Sequence, residues 1–414
     1  MTKTIHPKKG ITGIIHVPGD KSISHRALIL SAIAEGVSEI KNILLCNDTM
    51  STITCLRQLG VRIEIDNGAA WVDGVGLYGL KPPSAPLFCG NSGTTMRLLA
   101  GLLAGQDFYS TLDGDASLKK RPMERIVEPL SLMGARIVSH GGAPPLAVHG
   151  TPLKGIHYKM PINSAQVKSA IQLAAIYAAG QTTIEIPSHP ILMRNHTDLM
   201  LDFMTEKGSI KARKFHIPGD QSSAAFFIVL GLMHAKGTFV VRHVGLNPTR
   251  LGFIGVLRSM GAEIDLKVTE NHGGEPVGDI FVKKSRLKPI DVEGDMVPFM
   301  IDELPIFAVA AATLTDGTVT ISDAAELRVK ESDRLNAVIT ELNKMGASIT
   351  PKNEGMIIKG GTPLHGATLD AHHDHRIAMS LSIAATAAKS KSQLENAHWA
   401  NISFPNFFET LSFL

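Results

Sequence analysis

Three cysteines, two tryptophans and four tyrosines in 414 residues leave little material for several kinds of chemistry. Cys46, Cys55 and Cys89 form no Cys-x-x-Cys pair and no even-numbered framework, which excludes a disulfide scaffold and suits a reducing cytoplasm. With aromatic residues at 5%, a nucleic-acid surface of stacking rings has little to build on, and the cores must rest on Leu, Ile, Val, Met and Ala. Lys and Arg exceed Asp and Glu by only three, 41 against 38, too few and too dispersed to mark a nucleic-acid binder. The longest apolar runs, such as AAFFIVLGLM from Ala224, fall short of the roughly 20 residues of a membrane span. The first 20 residues carry no apolar signal-peptide core. These absences lead us to expect a cytoplasmic protein with no nucleic-acid and no membrane partner, working on small anions; a monomer is expected, though nothing in the composition decides it.

What is abundant is ordinary for large apolar cores: 44% hydrophobic and 19% charged residues, in a chain long enough for two or three domains. A pattern of apolar helix, glycine and strand recurs at Gly36, Gly105, Gly180, Gly237 and Gly317, with a sixth copy, IAATAAKSKSQLENA, that lacks the glycine. A second series interleaves with it at Gly60, Gly134, Gly208, Gly261 and Gly346. Glycine at these places predicts helices that stop in a left-handed conformation, and the β-branched residues that follow predict strands. Six copies space one unit about every 69 residues, too long for a simple solenoid, so each unit holds two helices with strands between and after them. The near-identical HVPGDKS at 16–22 and HIPGDQS at 216–222 divide the chain. Because Pro-Gly pairs punctuate chains, they predict two lobes: 20–218, and 219–414 joined by 1–19, with hinges near Pro18-Gly19 and Pro218-Gly219.

Charged and small residues collect at predicted helix starts. Asp20-Lys21-Ser22-Ile23-Ser24-His25-Arg26 offers caps in Asp20 or Ser22, and places Ser22 and Arg26 on one face; an ordinary capped turn and an anion site both fit. Cys89-Gly90-Asn91-Ser92-Gly93-Thr94-Thr95-Met96-Arg97 is neither a Walker loop nor a Rossmann fingerprint, but Gly93 lets a ligand approach the backbone; a tight turn before a helix fits as well. Lys119-Lys120-Arg121 precede Pro122, placed at the first helical position, though a solvated basic loop is the common meaning of such a run. Asn163-Ser164-Ala165-Gln166-Val167-Lys168-Ser169 and Met193-Arg194-Asn195-His196-Thr197 are weak alone. Asp302-Glu303 enter an apolar helix as caps or as acids. In Arg328-Val329-Lys330-Glu331-Ser332-Asp333-Arg334, Lys330 and Arg334 are expected on one face. In His372-His373-Asp374-His375-Arg376 neighbouring ligands do not face one centre, so Arg376 held by Asp374 and aimed at an anion is preferred to a metal site.

Taken together, PGDKSISHRALIL, GNSGTTMRLL, GDASLKKRPM, NSAQVKSA, DELP, LRVKESDRL and DHRIAM occur in this order over nearly the whole chain. The set resembles the 5-enolpyruvylshikimate-3-phosphate synthases (3-phosphoshikimate 1-carboxyvinyltransferases), and its wording is similar to their class II branch. The resemblance implies an α/β fold of two lobes, each of three βαβαββ units about a pseudo-threefold axis, with the active site in the cleft between lobes. It implies transfer of enolpyruvyl from phosphoenolpyruvate to the 5-hydroxyl of shikimate 3-phosphate, releasing phosphate, in aromatic amino acid biosynthesis. Lys21, Ser22, Arg26, Ser164, Gln166, Arg194, Asp302 and Lys330 would contact shikimate 3-phosphate, and Lys21, Gly93, Arg121, Gln166, Arg334 and Arg376 phosphoenolpyruvate. Asp302 is assigned as base at the hydroxyl, and Glu331 with Lys21 to protonation of the methylene carbon. No metal and no cofactor are implied, because phosphoenolpyruvate carries its own leaving group. Two departures stand out. Ala165 replaces a second Ser of many members, and Asn401-Ile402-Ser403-Phe404-Pro405 lacks a Lys that some members use.

Both substrates are anions, so cations from both lobes are required, Arg for bidentate pairing and Lys as a movable charge, with Arg97 a weaker candidate beside those above. The nearest rival, a UDP-N-acetylglucosamine enolpyruvyl transferase, would want a reactive cysteine where this chain reads LKKRPME. An RNA-end-processing protein on related repeats would want stacking aromatics, and a repeat scaffold would leave the clusters without use.

Overall fold

The computed structural model describes residues 1–414. The chain divides into two units: Met1–Pro18 with Pro218–Glu270 and Pro276–Leu414, and Gly19–Ile217 with Asn271–Glu275.

In the second of these, the stretch Leu87–Phe88, Gly93–Ala104, Tyr109–Asp113, Glu124–Leu132, Arg136–His140, Ala143–His149 reads strand, helix, strand, helix, strand, strand. Its sheet runs Leu87–Phe88, Tyr109–Asp113, Ala143–His149, Arg136–His140, the first pair parallel and the others antiparallel. The repeat before it has the same order: Lys214–His216, Glu35–Lys41, Ala69–Val75, Arg62–Asp66, again with the first pair parallel. Its edge strand comes from the far end of the unit, so the last repeat closes on the first. The third repeat is reduced to short pairs around the Ala165–Ala175 and His196–Met204 helices.

The other unit repeats the plan. Ile14–His16, from the N-terminal segment, pairs parallel with Thr238–Gly245, which lies beside Glu275–Lys283 and then Ile264–His272. Thr318–Ile321, Gly355–Lys359 and Ser348–Lys352 form the second sheet; Thr368–Asp370, Ser392–Glu395 and Lys3–Ile5 form the third.

Each repeat thus owns one inner helix, and these six carry the cores: Lys21–Ala32, Gly93–Ala104 and Ala165–Ala175; Gln221–His234, Leu304–Leu314 and His375–Thr386. They are apolar on nearly every side, as a helix enclosed all round must be; in Gln221–His234 every residue from Gln221 to Met233 is buried. The few aromatics concentrate where large volume is needed, with Phe226 and Phe227 packed on Phe404 and Phe407 near the end of the chain. No helix is long and apolar enough to cross a membrane.

Nine of the ten punctuating glycines have positive φ. Gly105 departs: its φ is −92°, and it is glycine because a Cβ would lie 2.4 Å from the Tyr177 ring. Pro122 also departs from expectation. Lys119 and Lys120 end a 3₁₀ turn, Arg121 is extended as a residue before proline tends to be, and the helix starts only at Glu124.

Candidate active site

Five of the six inner helices begin on a side-chain cap. Asp20, Ser92, Ser164, Asp220 and Asp374 each accept a hydrogen bond from the first turn that follows. Such ends concentrate backbone N–H donors and positive potential, which favours anions.

In the Gly19–Ile217 unit the three helix starts are linked into a ring. Arg97 Nη1 donates to Gln166 Oε1 (2.5 Å), and Gln166 Nε2 donates to Thr94 Oγ1 (3.0 Å), joining the second and third. Arg26 Nη2 donates to Ser169 Oγ (2.7 Å), joining the third and first. Lys21 pairs with Asp48 (2.9 Å), whose carbonyl accepts from Thr95 Oγ1 (3.2 Å), joining the first and second. Buried His25 runs parallel to that link: its Nδ1 lies 2.7 Å from Thr52 Oγ1, which lies 2.7 Å from Thr95 Oγ1. Burial drives the His25 imidazole down to about 3, Lys21 and Arg26 adding to the shift and Asp48 opposing it, so the ring is neutral at physiological pH.

The ring gathers Lys21, Arg26, Gly93, Gln166 and Arg121, the last donating to Asn91 Oδ1 at 2.5 Å. A Cβ on Gly93 would meet Arg97 Nη1 at 2.8 Å and Arg121 Nη1 at 3.4 Å, so the Arg97 guanidinium crowds that backbone and the Arg121 guanidinium lies next to it. Arg26 is buried, and burial lowers its pKa to about 10; Asp20, Glu275 and Asp198 pull it up while Arg194 pushes it down. Ser164 caps its helix, accepting from Val167 N at 3.4 Å, and Ser22 contributes its carbonyl to Arg26 Nη1 at 2.9 Å. The alternatives for the first cap resolve on Asp20, which accepts from Ile23 N at 2.9 Å.

The other unit gathers the acids. Arg334, 1% exposed, donates from Nε to Asp374 Oδ2 at 2.8 Å and pairs with Glu331 at 2.5 Å and Asp302 at 3.5 Å. Burial works to lower its pKa, but Asp374, Glu331 and Asp302 outweigh this and raise it, so it is a permanent cation. Arg376 donates to the Asp302 carbonyl (3.1 Å) and lies 3.9 Å from the carboxylates of Asp302 and Glu303. Glu303 also accepts from Ser222 Oγ, to which Arg250 donates at 2.8 Å. Lys330 lies 4.0 Å from Glu326; burial lowers its pKa against the pull of Asp302. Asp302 and Glu331 are therefore carboxylates within reach of the same guanidinium.

Two expectations are corrected here. Lys330 and Arg334 do not share a helix face: Lys330 is extended at the end of the 3₁₀ turn Ala325–Val329, and Asp333 caps a helix that starts at Arg334. Asp374 holds the side chain of Arg334 rather than that of Arg376, from which it accepts only the backbone N–H. The His-rich run disperses: His372 Nε2 meets Glu341 at 2.8 Å, and His373 stands edge-on to Trp399. Sequence reasoning missed Asp48, Glu303 and Asp374 as the partners that orient Lys21, Arg376 and Arg334. For Asp48, the helix-start composition of Cys46-Asn47-Asp48-Thr49 was the one available signal.

The architecture is that of the enolpyruvyl transferases. The chain superposes on the enolpyruvyl transferase NikO of Streptomyces tendae with a TM-score of 0.78 over 99% of this chain and 96% of that one, at 16% identity, a likeness of fold alone. Residues 5–411 match the family described as EPSP synthase (3-phosphoshikimate 1-carboxyvinyltransferase), and the chain belongs to that family. It is 47% identical to the 3-phosphoshikimate 1-carboxyvinyltransferase of Thermoanaerobacter sp. strain X514, over 99% of both chains. It is 47% identical to the protein of that name from Syntrophomonas wolfei, over 100% of both. The EPSP synthase of Acinetobacter baumannii superposes with a TM-score of 0.87 at 41% identity, over 99% of this chain and 97% of that one.

Proposed function

We propose that the chain transfers the enolpyruvyl group of phosphoenolpyruvate to the 5-hydroxyl of shikimate 3-phosphate, acting as a monomer in the cytoplasm. The observation that carries the reading is the division of chemistry between the units. One presents Lys21, Arg26, Arg97, Arg121 and Arg194 around three linked helix starts, and the other presents Asp302 and Glu331 around Arg334. Anion binding needs the first and proton transfer the second.

On this reading shikimate 3-phosphate is held by Lys21, Ser22, Arg26, Ser164, Gln166, Arg194, Asp302 and Lys330. Phosphoenolpyruvate is held by Lys21, Gly93, Arg121, Gln166, Arg334 and Arg376. Asp302 takes the proton of the 5-hydroxyl as its oxygen bonds to C2 of phosphoenolpyruvate. Glu331, with Lys21, delivers a proton to the methylene carbon, which becomes a methyl group. The resulting ketal then loses a methyl proton and expels inorganic phosphate, restoring the double bond. Each proton transfer by a placed group contributes about 10²–10⁴-fold. The two units would bring their groups together on the bound anions, excluding water and strengthening each contact.

Phosphate release is the test. It should require phosphoenolpyruvate and shikimate 3-phosphate together; release with either alone, or none with both, refutes the assignment.

A further inference from the structure

His196 and Thr197 stand in the Arg194 segment, and the transfer reaction as described leaves them without a role. His196 opens the His196–Met204 helix and is 3% exposed. Its Nδ1 lies 2.6 Å from Oε1 of Glu275, which is 2% exposed. Glu275 arrives from 79 positions away, on the tip of a hairpin. The strands Ile264–His272 and Glu275–Lys283 belong mainly to the other unit, but the tip, Asn271–Glu275, is part of this one. Gly273 and Gly274 turn the tip with φ of 60° and 82°, as a tight hairpin requires. The tip is seated closely: His272 stacks on His216 with ring centres 5.3 Å apart, and a Cβ on Gly274 would lie 3.2 Å from the Leu199 carbonyl.

The residue after His196 is the one that aims Arg26. Thr197 Oγ1 accepts from Arg26 Nε at 2.7 Å and lies 2.7 Å from Ser169 Oγ. A guanidinium has five N–H donors. Thr197, Ser169 and the Ser22 carbonyl take one each. The remaining two are directed by those three bonds, and an error in Thr197 misdirects them.

We infer that Glu275, acting through His196, is a positioning residue for shikimate 3-phosphate: it fixes the start of the His196–Met204 helix, hence Thr197, hence the Arg26 guanidinium. The inference rests on the function proposed above. It predicts a sign opposite to simple electrostatics. Removing a carboxylate whose charge acts on Arg26 would tighten an anion if charge alone counted, whereas loss of positioning loosens it.

The test is steady-state kinetics of the whole protein, with each substrate varied in turn, on wild type, Glu275→Gln and Glu275→Asp, with melting temperatures alongside. Glu275→Gln should raise KM for shikimate 3-phosphate about tenfold or more, as loss of a buried charged partner commonly does. KM for phosphoenolpyruvate should stay within about twofold, and Glu275→Asp should recover part of the loss. His196→Phe, a somewhat larger ring without a donor, should show the same split, and carries the test should Glu275→Gln not fold. An unchanged or lower KM for shikimate 3-phosphate overturns the inference, as do two KM values that rise together. If the wild type turns over and the variants do not differ from it, only this inference fails; if the wild type does not turn over, the proposed function fails and this falls with it.

Discussion

Replacing Gly93 by alanine adds one methyl group at a place where the structure gives opposite expectations for stability and for binding. Gly93 is the first residue of the Gly93–Ala104 helix, and its φ lies outside the left-handed region, so alanine fits the backbone. Alanine is the better helix former by up to about 1 kcal/mol, so the melting temperature should hold or rise. The new Cβ, however, sits 2.8 Å from Arg97 Nη1 and 3.4 Å from Arg121 Nη1. The Arg97 contact is too short and is the end of a flexible side chain, so it gives way rather than the backbone, while Arg121 stays at the edge of ordinary contact. When Arg97 moves it strains its 2.5 Å bond to Gln166, which is assigned to phosphoenolpyruvate. A charge-assisted hydrogen bond is worth about 1.5–3 kcal/mol, so misplacing one such contact to phosphoenolpyruvate weakens binding by roughly 10- to 150-fold. The assay is phosphate release at saturating shikimate 3-phosphate with phosphoenolpyruvate varied, alongside thermal melting. A KM for phosphoenolpyruvate within twofold of wild type refutes the crowding described for Gly93. A fall of several degrees in melting temperature refutes the claim that the methyl displaces side chains alone.

Asp302→Ala should lower kcat by about 10²–10⁴-fold, and near-wild-type kcat would remove Asp302 from proton transfer. Asp374→Ala leaves Arg334 buried with its fully buried carboxylate partner gone, at a cost of about 3–5 kcal/mol in denaturant unfolding; a loss below about 1 kcal/mol would show the pair to be dispensable. The His25 imidazole takes a proton near 6.5 in the unfolded chain but only near 3 when folded, so acidification from pH 6.5 favours unfolding by up to about 1.4 kcal/mol per pH unit. His25→Gln should flatten the loss of stability between pH 6.5 and 4.5 by that amount, and equal slopes in urea unfolding would contradict the depressed value.

The helix starts and stops were legible because they are local. Asp20, Ser92, Ser164 and Asp220 cap the residues that follow them within three positions, and such chemistry shows in a short window of sequence. Glycine at Gly60, Gly134 and Gly346 marks the ends of helices for an equally local reason. Local signals misled where two explanations shared one residue. Gly105 does end its helix, but not in the left-handed conformation, being glycine for the Tyr177 ring; and Lys330 and Arg334 read as one helix face although Lys330 is extended and the helix starts only at Arg334.

By itself, the sequence determined the repeat, the inner helices and the small and cationic residues at their starts, since each follows from propensity and periodicity over a few residues. Only the tertiary structure decided which carboxylate orients which side chain: Asp48 for Lys21, Asp374 for Arg334 across 40 positions, Glu275 for His196 across 79. Those pairings depend on where helices and hairpins come to rest against one another, and a hydrogen bond that fails beyond about 3.5 Å cannot be read from spacing along a chain.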